Sequence, residues 1–291
     1  MPPTVLAHLA LGLIVGLSIM LMLIRPRRIP EVYWIGAGAT LLVILRLIPL
    51  RSCGQSIAKG FDVYLFLIGM MLHSELTREH GVFDWLSSMA LNSADGSSAR
   101  LFTLIYSIGR VVTVFMSNDA TAIVLTPAIL AVVRRARTSP QPHLFVCALI
   151  ANAASFVLPI SNPANLVVFR HDMAPLGAWL LAFAVPSILS IGVMYAVMRV
   201  LFRRELADCV EPSEGAEPLT RNGALVLAGL SVTTVVLIAV SFEGKDLGFP
   251  TFLAALAVAV MVSIIGRSNP WNLAREISWG QSLCSPDCSS W

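Results

Sequence analysis

Runs of about twenty apolar residues, the length that crosses a hydrocarbon core at roughly 1.5 Å per residue, fill most of this chain. No other feature restricts its fold so severely. They predict helices near 4–24, 31–50, 61–76, 99–116, 119–134, 143–170, 176–200, 222–242 and 248–266. Charged residues make up 13% of the sequence and hydrophobic ones 56%, whereas a soluble domain carries about 25% charge. Half the usual charge cannot cover a water-facing surface. The chain therefore reads as an all-α polytopic membrane protein whose surroundings are a lipid bilayer. The net charge of +3 gives no reason to expect a nucleic-acid partner.

The N-terminal stretch MPPTVLAHLALGLIVGLSIMLMLIRPRR lacks a basic leader and a small-residue cleavage site, so it reads as a retained first helix. Arginine placement orients the chain. With the N-terminus outside, the clusters Arg25/Arg27/Arg28, Arg134/Arg135/Arg137 and Arg203/Arg204 fall on the cytoplasmic side together with Arg78, Arg100, Arg199, Arg221, Arg267 and Arg275. Arg46, Arg51, Lys59, Arg170 and Lys245 fall outside, and Arg110 lies within the 99–134 segment. The positive-inside rule favours that assignment. It fits equally whether 99–134 is a re-entrant hairpin or two full spans.

Other stretches carry weaker expectations. Phe83, Trp85, Leu86 and Met89, within 77–98, could stripe a helix lying on the membrane surface. Asp62, His73 and Glu75 flank the third helix and read as interfacial. Residues 203–221 form the one long polar connector, expected to be cytoplasmic. On either side, Pro30 and Pro250 each open a helix followed by a polar loop, in opposite directions across the membrane. Opposed copies mark inverted-repeat transporters.

Two segments place polar, helix-breaking residues where apolar sequence is expected. One is VVTVFMSNDATAIVLTPAIL, with Ser117, Asn118, Asp119 and Thr121. The other is CALIANAASFVLPISNPANLVVF, with Pro159, Ser161, Asn162, Pro163 and Asn165. Proline removes a backbone donor and obstructs continuous helix. Backbone groups freed at that depth must be buried in protein or line a wet cavity. Half-helix ends, joined by neutral donors and acceptors on Asn and Ser, then form a polar pocket for a solute or ion. Asp119 has two readings: a proton-loading carboxyl in a partly dehydrated pocket, or an N-cap for the helix beginning at Ala120. Arg110 is read as stabilised by the interface, with a pairing to Asp119 as the alternative. Asn152 and Ser155 read as helix-helix glue. Five cysteines at 53, 147, 209, 284 and 288 show no repeated spacing, which gives no disulfide framework, no metal site and no cofactor motif. Cys147 reads as packing. No His-Glu-x-x-His motif supports an intramembrane enzyme.

SNDATAIVLTPAIL followed by ALIANAASFVLPISNPANLVVF resembles the ion transporter superfamily, in particular its arsenical-pump (arsenite efflux) permeases, over most of residues 20–279. The resemblance implies an inverted-repeat fold with a re-entrant hairpin and a broken helix in each repeat. By position, Ser117-Asn118-Asp119 becomes the hairpin tip and Ser161-Asn162-Pro163 the break of the first repeat. The symporter branch has Ser-Asn-Thr at the tip, so Asp119 departs from sodium-dicarboxylate symport. The implied activity is export of arsenite, a small inorganic solute, in exchange for protons across the inner membrane. Sodium/proton exchange and organic-anion transport are the alternatives within the superfamily, and a homo-oligomer or an ATPase subunit remains open. The expected organisation is a first repeat over 1–202, a linker over 203–221, an incomplete second repeat over 222–279 and an aberrant tail over 280–291. The tail GQSLCSPDCSSW replaces the apolar helix that repeat and family both require. Read in a shifted frame with permitted codons it yields SVPLLPGLFVL, so a truncating frameshift, leaving a non-transporting remnant, is the expectation set against active export.

Overall fold

The computed structural model describes residues 5–169, 173–210 and 218–266. The described residues hold eleven α-helices and no strand; a single isolated bridge joins Ser97 to Cys209. Five helices are long and apolar enough to cross a membrane: 7–24, 98–115, 176–201, 221–242 and 248–265. Their apolar side chains lie largely at the surface, Leu181 at 88% exposure and Ile188 at 69%. That pattern suits a hydrocarbon solvent and not water.

Two compact units divide at residue 61. In the first, α1 (Val5–Ile24) packs on α2 (Glu31–Ile44), where Gly38 and Leu42 are buried. The sequence predicts α2 running to residue 50, but it stops at Ile44. Arg46 turns left-handed, with φ of 54°, and Pro49 then precedes α3 (Leu50–Glu79). Proline lacks the donor that would prolong α2 and fits the entry to a new helix. The third predicted helix accordingly begins eleven residues early.

In the second unit, α4 (Val82–Asn92) is not a free surface helix. Val82, Phe83, Ser87, Ala90 and Leu91 are buried against protein, while Met89 is exposed. The apolar stripe expected at Phe83, Trp85, Leu86 and Met89 is thus rotated, and only Phe83 lies fully in the core. The expectation of an interfacial His73 also fails. His73 is fully buried, and the Asp62 carboxylate accepts from the Gly248 N–H at 2.9 Å, capping α11 (Gly248–Gly266). Glu75 pairs instead with Arg78, one helical turn away. The first part of the polar connector packs back on the α4–α5 loop: Val210 N–H donates to Gly96 O at 2.9 Å, and Leu206 is buried. Thr220 then caps α10 (Arg221–Phe242), accepting from Gly223 N–H at 3.0 Å. The second half of the expected inverted repeat beyond 266, with Cys284, Cys288 and the tail, lies outside the described residues.

The α3–α11 junction leaves no room for a side chain. A Cβ on Gly248 would overlap the Asp62 backbone carbonyl, which cannot swing aside as a flexible side chain would. Gly248→Val should cost about 1–3 kcal/mol. Thermal unfolding of the detergent-solubilised protein, read beside Gly192→Ala, where an added Cβ meets nothing within 4 Å, measures it.

Candidate functional site at the hairpin tip and helix break

α5 (Ser98–Phe115) ends at Met116, and Ser117 turns the chain into a π-helical segment (Ala120–Leu125) that continues as α6 (Thr126–Arg135). Two contacts between hydroxyls hold the arms antiparallel. Thr113 and Thr121 meet at 2.8 Å near the tip, and Ser98 and Thr138 at 3.3 Å near the base. Gly109 permits α5 to lie close to the next helix, since a Cβ there would stand 2.9 Å from Ile150 Cγ2. The π-helical turns have a sequence cause. Pro127 cannot donate to the Ile123 carbonyl, so the ladder widens, and the Thr126 hydroxyl takes the Thr121 carbonyl at 3.2 Å.

The second polar segment is broken as expected. α7 (Pro140–Ala153) gives way to turns and a 3-10 turn (Pro159–Ser161), and α8 (Pro163–Val168) resumes after Asn162. The break and the hairpin touch directly. Ser161 Oγ donates to Val114 O at 3.0 Å, a carbonyl left without a helical partner by the end of α5. It also accepts from Leu158 N–H at 3.1 Å. Asn165 donates through Nδ2 to Ser155 O at 2.9 Å and Pro159 O at 3.4 Å, taking up two carbonyls that the break sets free. Trp179, on α9 (Leu176–Leu201), donates from Nε1 to Phe156 O at 3.0 Å.

The seven singled-out residues therefore fall into two groups. Ser117, Thr121, Ser161 and Asn165 are buried and bonded to backbone or to one another. Asn118 is half-buried with its side-chain oxygen lacking a hydrogen-bond partner. Asp119 is exposed at the tip, and Asn162 is half-buried, its Oδ1 capping α8 through Ala164 N–H at 2.9 Å. The capping alternative for Asp119 is overturned. Ser117 Oγ accepts from Ala120 N–H at 3.1 Å, and Asp119 itself has helical backbone angles and no capping bond. The chain turns at Met116–Ser117, so the serine, two positions before the aspartate, occupies the cap. Arg110 makes no ion pair with Asp119 among the described residues; it sits on the exposed side of α5. Asn152 bonds only its own helix, at Ala148 O, and Ser155 bonds Ala151 O. The Cys147 thiol is buried and donates to His143 O at 3.3 Å, as a packing residue does.

The sequence reading missed Thr113 and Trp179. Trp179 carried a usable signal, because an indole N–H inside an apolar helix needs an acceptor. None of the seven residues lines the cavity that the described residues show most clearly. That cavity, of about 380 Å³, lies beside them, between α5 and α9, with Arg110, Val114, Val157 and Ser187 in its wall.

Long apolar helices beside a polar tip bonded to an interrupted helix are the features of a multi-pass membrane protein. The sequence pattern of the family described as "Citrate transporter" matches residues 19–281, and the chain belongs to that family. It is similar to a putative arsenical pump membrane protein of Bacillus subtilis, 23% identical over 279 residues that cover 88% of this chain and 63% of the relative. An arsenical pump membrane protein of Escherichia coli is 26% identical over 281 residues, 91% of this chain and 63% of the relative. An uncharacterized transporter of Mycobacterium tuberculosis is 23% identical over 256 residues, 84% of this chain and 58% of its own length. The chain thus spans about three-fifths of the length of these relatives.

Replacing Asn165 by Leu removes a donor that serves two buried carbonyls, a loss on the order of 2 kcal/mol or more. Asn152→Leu, at an exposed site bonded within its own helix, should stay within about 0.5 kcal/mol of the parent. Thermal melts in micelles compare the two.

Proposed function

We propose that this protein exports a small, neutral, hydroxylated solute, arsenite, across the inner membrane in exchange for protons. The observation that carries the reading is the chemistry at the tip that takes no part in the internal bonding: a buried amide oxygen on Asn118 with no partner, an exposed carboxyl on Asp119 released from capping duty, and the half-buried Asn162 at the break. Asn118 and Asn162 offer neutral donors and acceptors to the hydroxyls of the solute. Asp119 loads and unloads the proton. Ser117, Thr121, Ser161 and Asn165 hold the two pieces in register beneath them. The names of the Bacillus and Escherichia relatives point to the same solute. On this reading residues 1–202 are one repeat and those after the connector begin its inverted counterpart, with alternating access arising as the repeats rock.

The description of the family favours a second reading, transport of an organic anion such as citrate. The tip argues against it. A polycarboxylate brought to Asp119 meets like charge, and the tip residues Ser117, Asn118 and Asp119 with the break residues Ser161, Asn162 and Asn165 supply no cation.

Arsenite resistance in an export-deficient cell, scored for this chain and for a version extended at its C-terminus by the matching part of the Escherichia coli relative, tests the solute. Resistance is expected from at least the extended version; none from either, with both inserted in the membrane, removes arsenite as the substrate. In whichever version exports, Asp119→Asn should leave efflux insensitive to a pH gradient. Everted vesicles assayed with and without an imposed gradient read this out, and an unchanged response takes the proton role from Asp119.

A further inference from the structure

The cavity between α5 and α9 lies outside the proposed solute site and has a distinct chemistry. Its volume, about 380 Å³, falls in the range of small-molecule pockets, roughly 300–1,000 Å³. The wall is apolar apart from two groups. One is Arg110, which forms no ion pair among the described residues although it sits thirteen positions into an 18-residue apolar helix. The other is Ser187, a residue only 4% exposed whose hydroxyl has no hydrogen-bond partner. A helical serine ordinarily donates to the carbonyl one turn back; this idle hydroxyl sits covered in the cavity wall and is free to turn toward a polar atom brought into the cavity. An arginine at such depth is likewise costly without a counter-charge.

The gap is built, not accidental. Tyr106 donates to Ile191 O at 2.6 Å and Thr103 meets Tyr195 Oη at 2.9 Å, pinning α5 to α9 at one end. Beyond that pin, Pro186 interrupts the α9 ladder, and Val157 of the helix break closes the other end. The rim opens on the apolar surface: Val111 is 49% exposed and Ile188 69%. A molecule reaching this cavity therefore arrives through hydrocarbon and brings an alkyl body, while Arg110 and Ser187 ask for an anionic head.

We propose that this cavity binds a single alkyl chain bearing an anionic head, the head on Arg110 and the Ser187 hydroxyl and the chain between α5 and α9. Two sources share that chemistry, a free alkyl carboxylate and an anionic phospholipid. Because the pocket touches Val114 and Val157, on either side of the Ser161–Val114 bond, occupancy would brace the junction of hairpin and break.

The test is photo-crosslinking of the full chain in lipid nanodiscs, with cross-linked peptides mapped by mass spectrometry. The probes are diazirine-tailed palmitate, diazirine-tailed phosphatidylglycerol and diazirine-tailed phosphatidylcholine. Palmitate or phosphatidylglycerol is expected to label the stretches around Val111–Phe115 and Ala184–Ile191 well above phosphatidylcholine, and the arm that labels names the source. Arg110→Gln keeps a polar side chain at an exposed position while shortening it and removing its charge, so folding is not at stake. It should lower that labelling by about tenfold. Ala184→Phe, which fills the groove, should abolish it while leaving labelling of α1 unchanged. Phosphatidylcholine labelling these stretches as strongly as the anions, Arg110→Gln labelling at the parental level, or adducts spread evenly over the exposed helices would each overturn the proposal.

Discussion

A single hydrogen bond, from the Ser161 hydroxyl to the Val114 carbonyl, couples the two irregular segments on which the interior of this protein depends. Helices that stop inside an apolar environment leave carbonyls that water cannot reach, and each one left unpaired costs several kcal/mol. Four of the carbonyls freed here each have a side-chain donor. Ser161 serves Val114, Asn165 serves both Ser155 and Pro159, and Trp179 serves Phe156. The donors come from the break itself and from the neighbouring α9. Hairpin, break and α9 are consequently held by directional bonds as well as by apolar packing, which in hydrocarbon gives little preference for protein over lipid.

The same accounting explains why a pair of Ser-Asn motifs carries two kinds of residue. Serine and threonine, short and able both to donate and accept, do the internal work at 117, 121 and 161. The longer amides divide: Asn165 turns inward to the break, while Asn118 keeps an unpartnered oxygen. A motif read as one binding unit is thus a scaffold with a small outward-facing edge.

Much of this was legible in the sequence, for reasons that differ by element. Apolar length alone fixes α1, α5, α9, α10 and α11, because a bilayer tolerates few alternatives. The break was legible from Pro159 and Pro163, which cannot continue a ladder. The early start of α3 was hidden by Arg51, Ser52, Gln55 and Lys59, polar residues that read as loop although Pro49 marked the new helix. The stripe on α4 was misjudged because the sequence does not say whether a helix meets lipid or protein, and seven apolar residues in eleven allow more than one face. The cap at the tip was ambiguous for a sharper reason: Ser117 and Asp119 are both good caps, and only the position of the backbone turn decides between them. Pro127 announced the π-helical turns, but its effect is read only once Thr121 and Thr126 are known to face each other.

The division between scaffold and edge also bears on what a carrier needs. A site that transports must release what it binds, so its affinity should come from few contacts, while its geometry must survive repeated loading. Placing the strong, buried hydrogen bonds inside the tip-and-break junction meets the second demand without contributing to the first. The groups left at the edge are neutral amides and one carboxyl, none of them capable of the multiple charge-assisted bonds that would trap a solute. A carboxyl exposed beside amides, relieved of capping by the serine two positions before it, changes its charge without disturbing any bond that holds the tip together. Had Asp119 been the cap, every protonation would have loosened the helix it started. On the proposed reading, the residue that turns the chain and the residue that carries the proton are separate, so loading Asp119 would leave the cap at Ser117 in place.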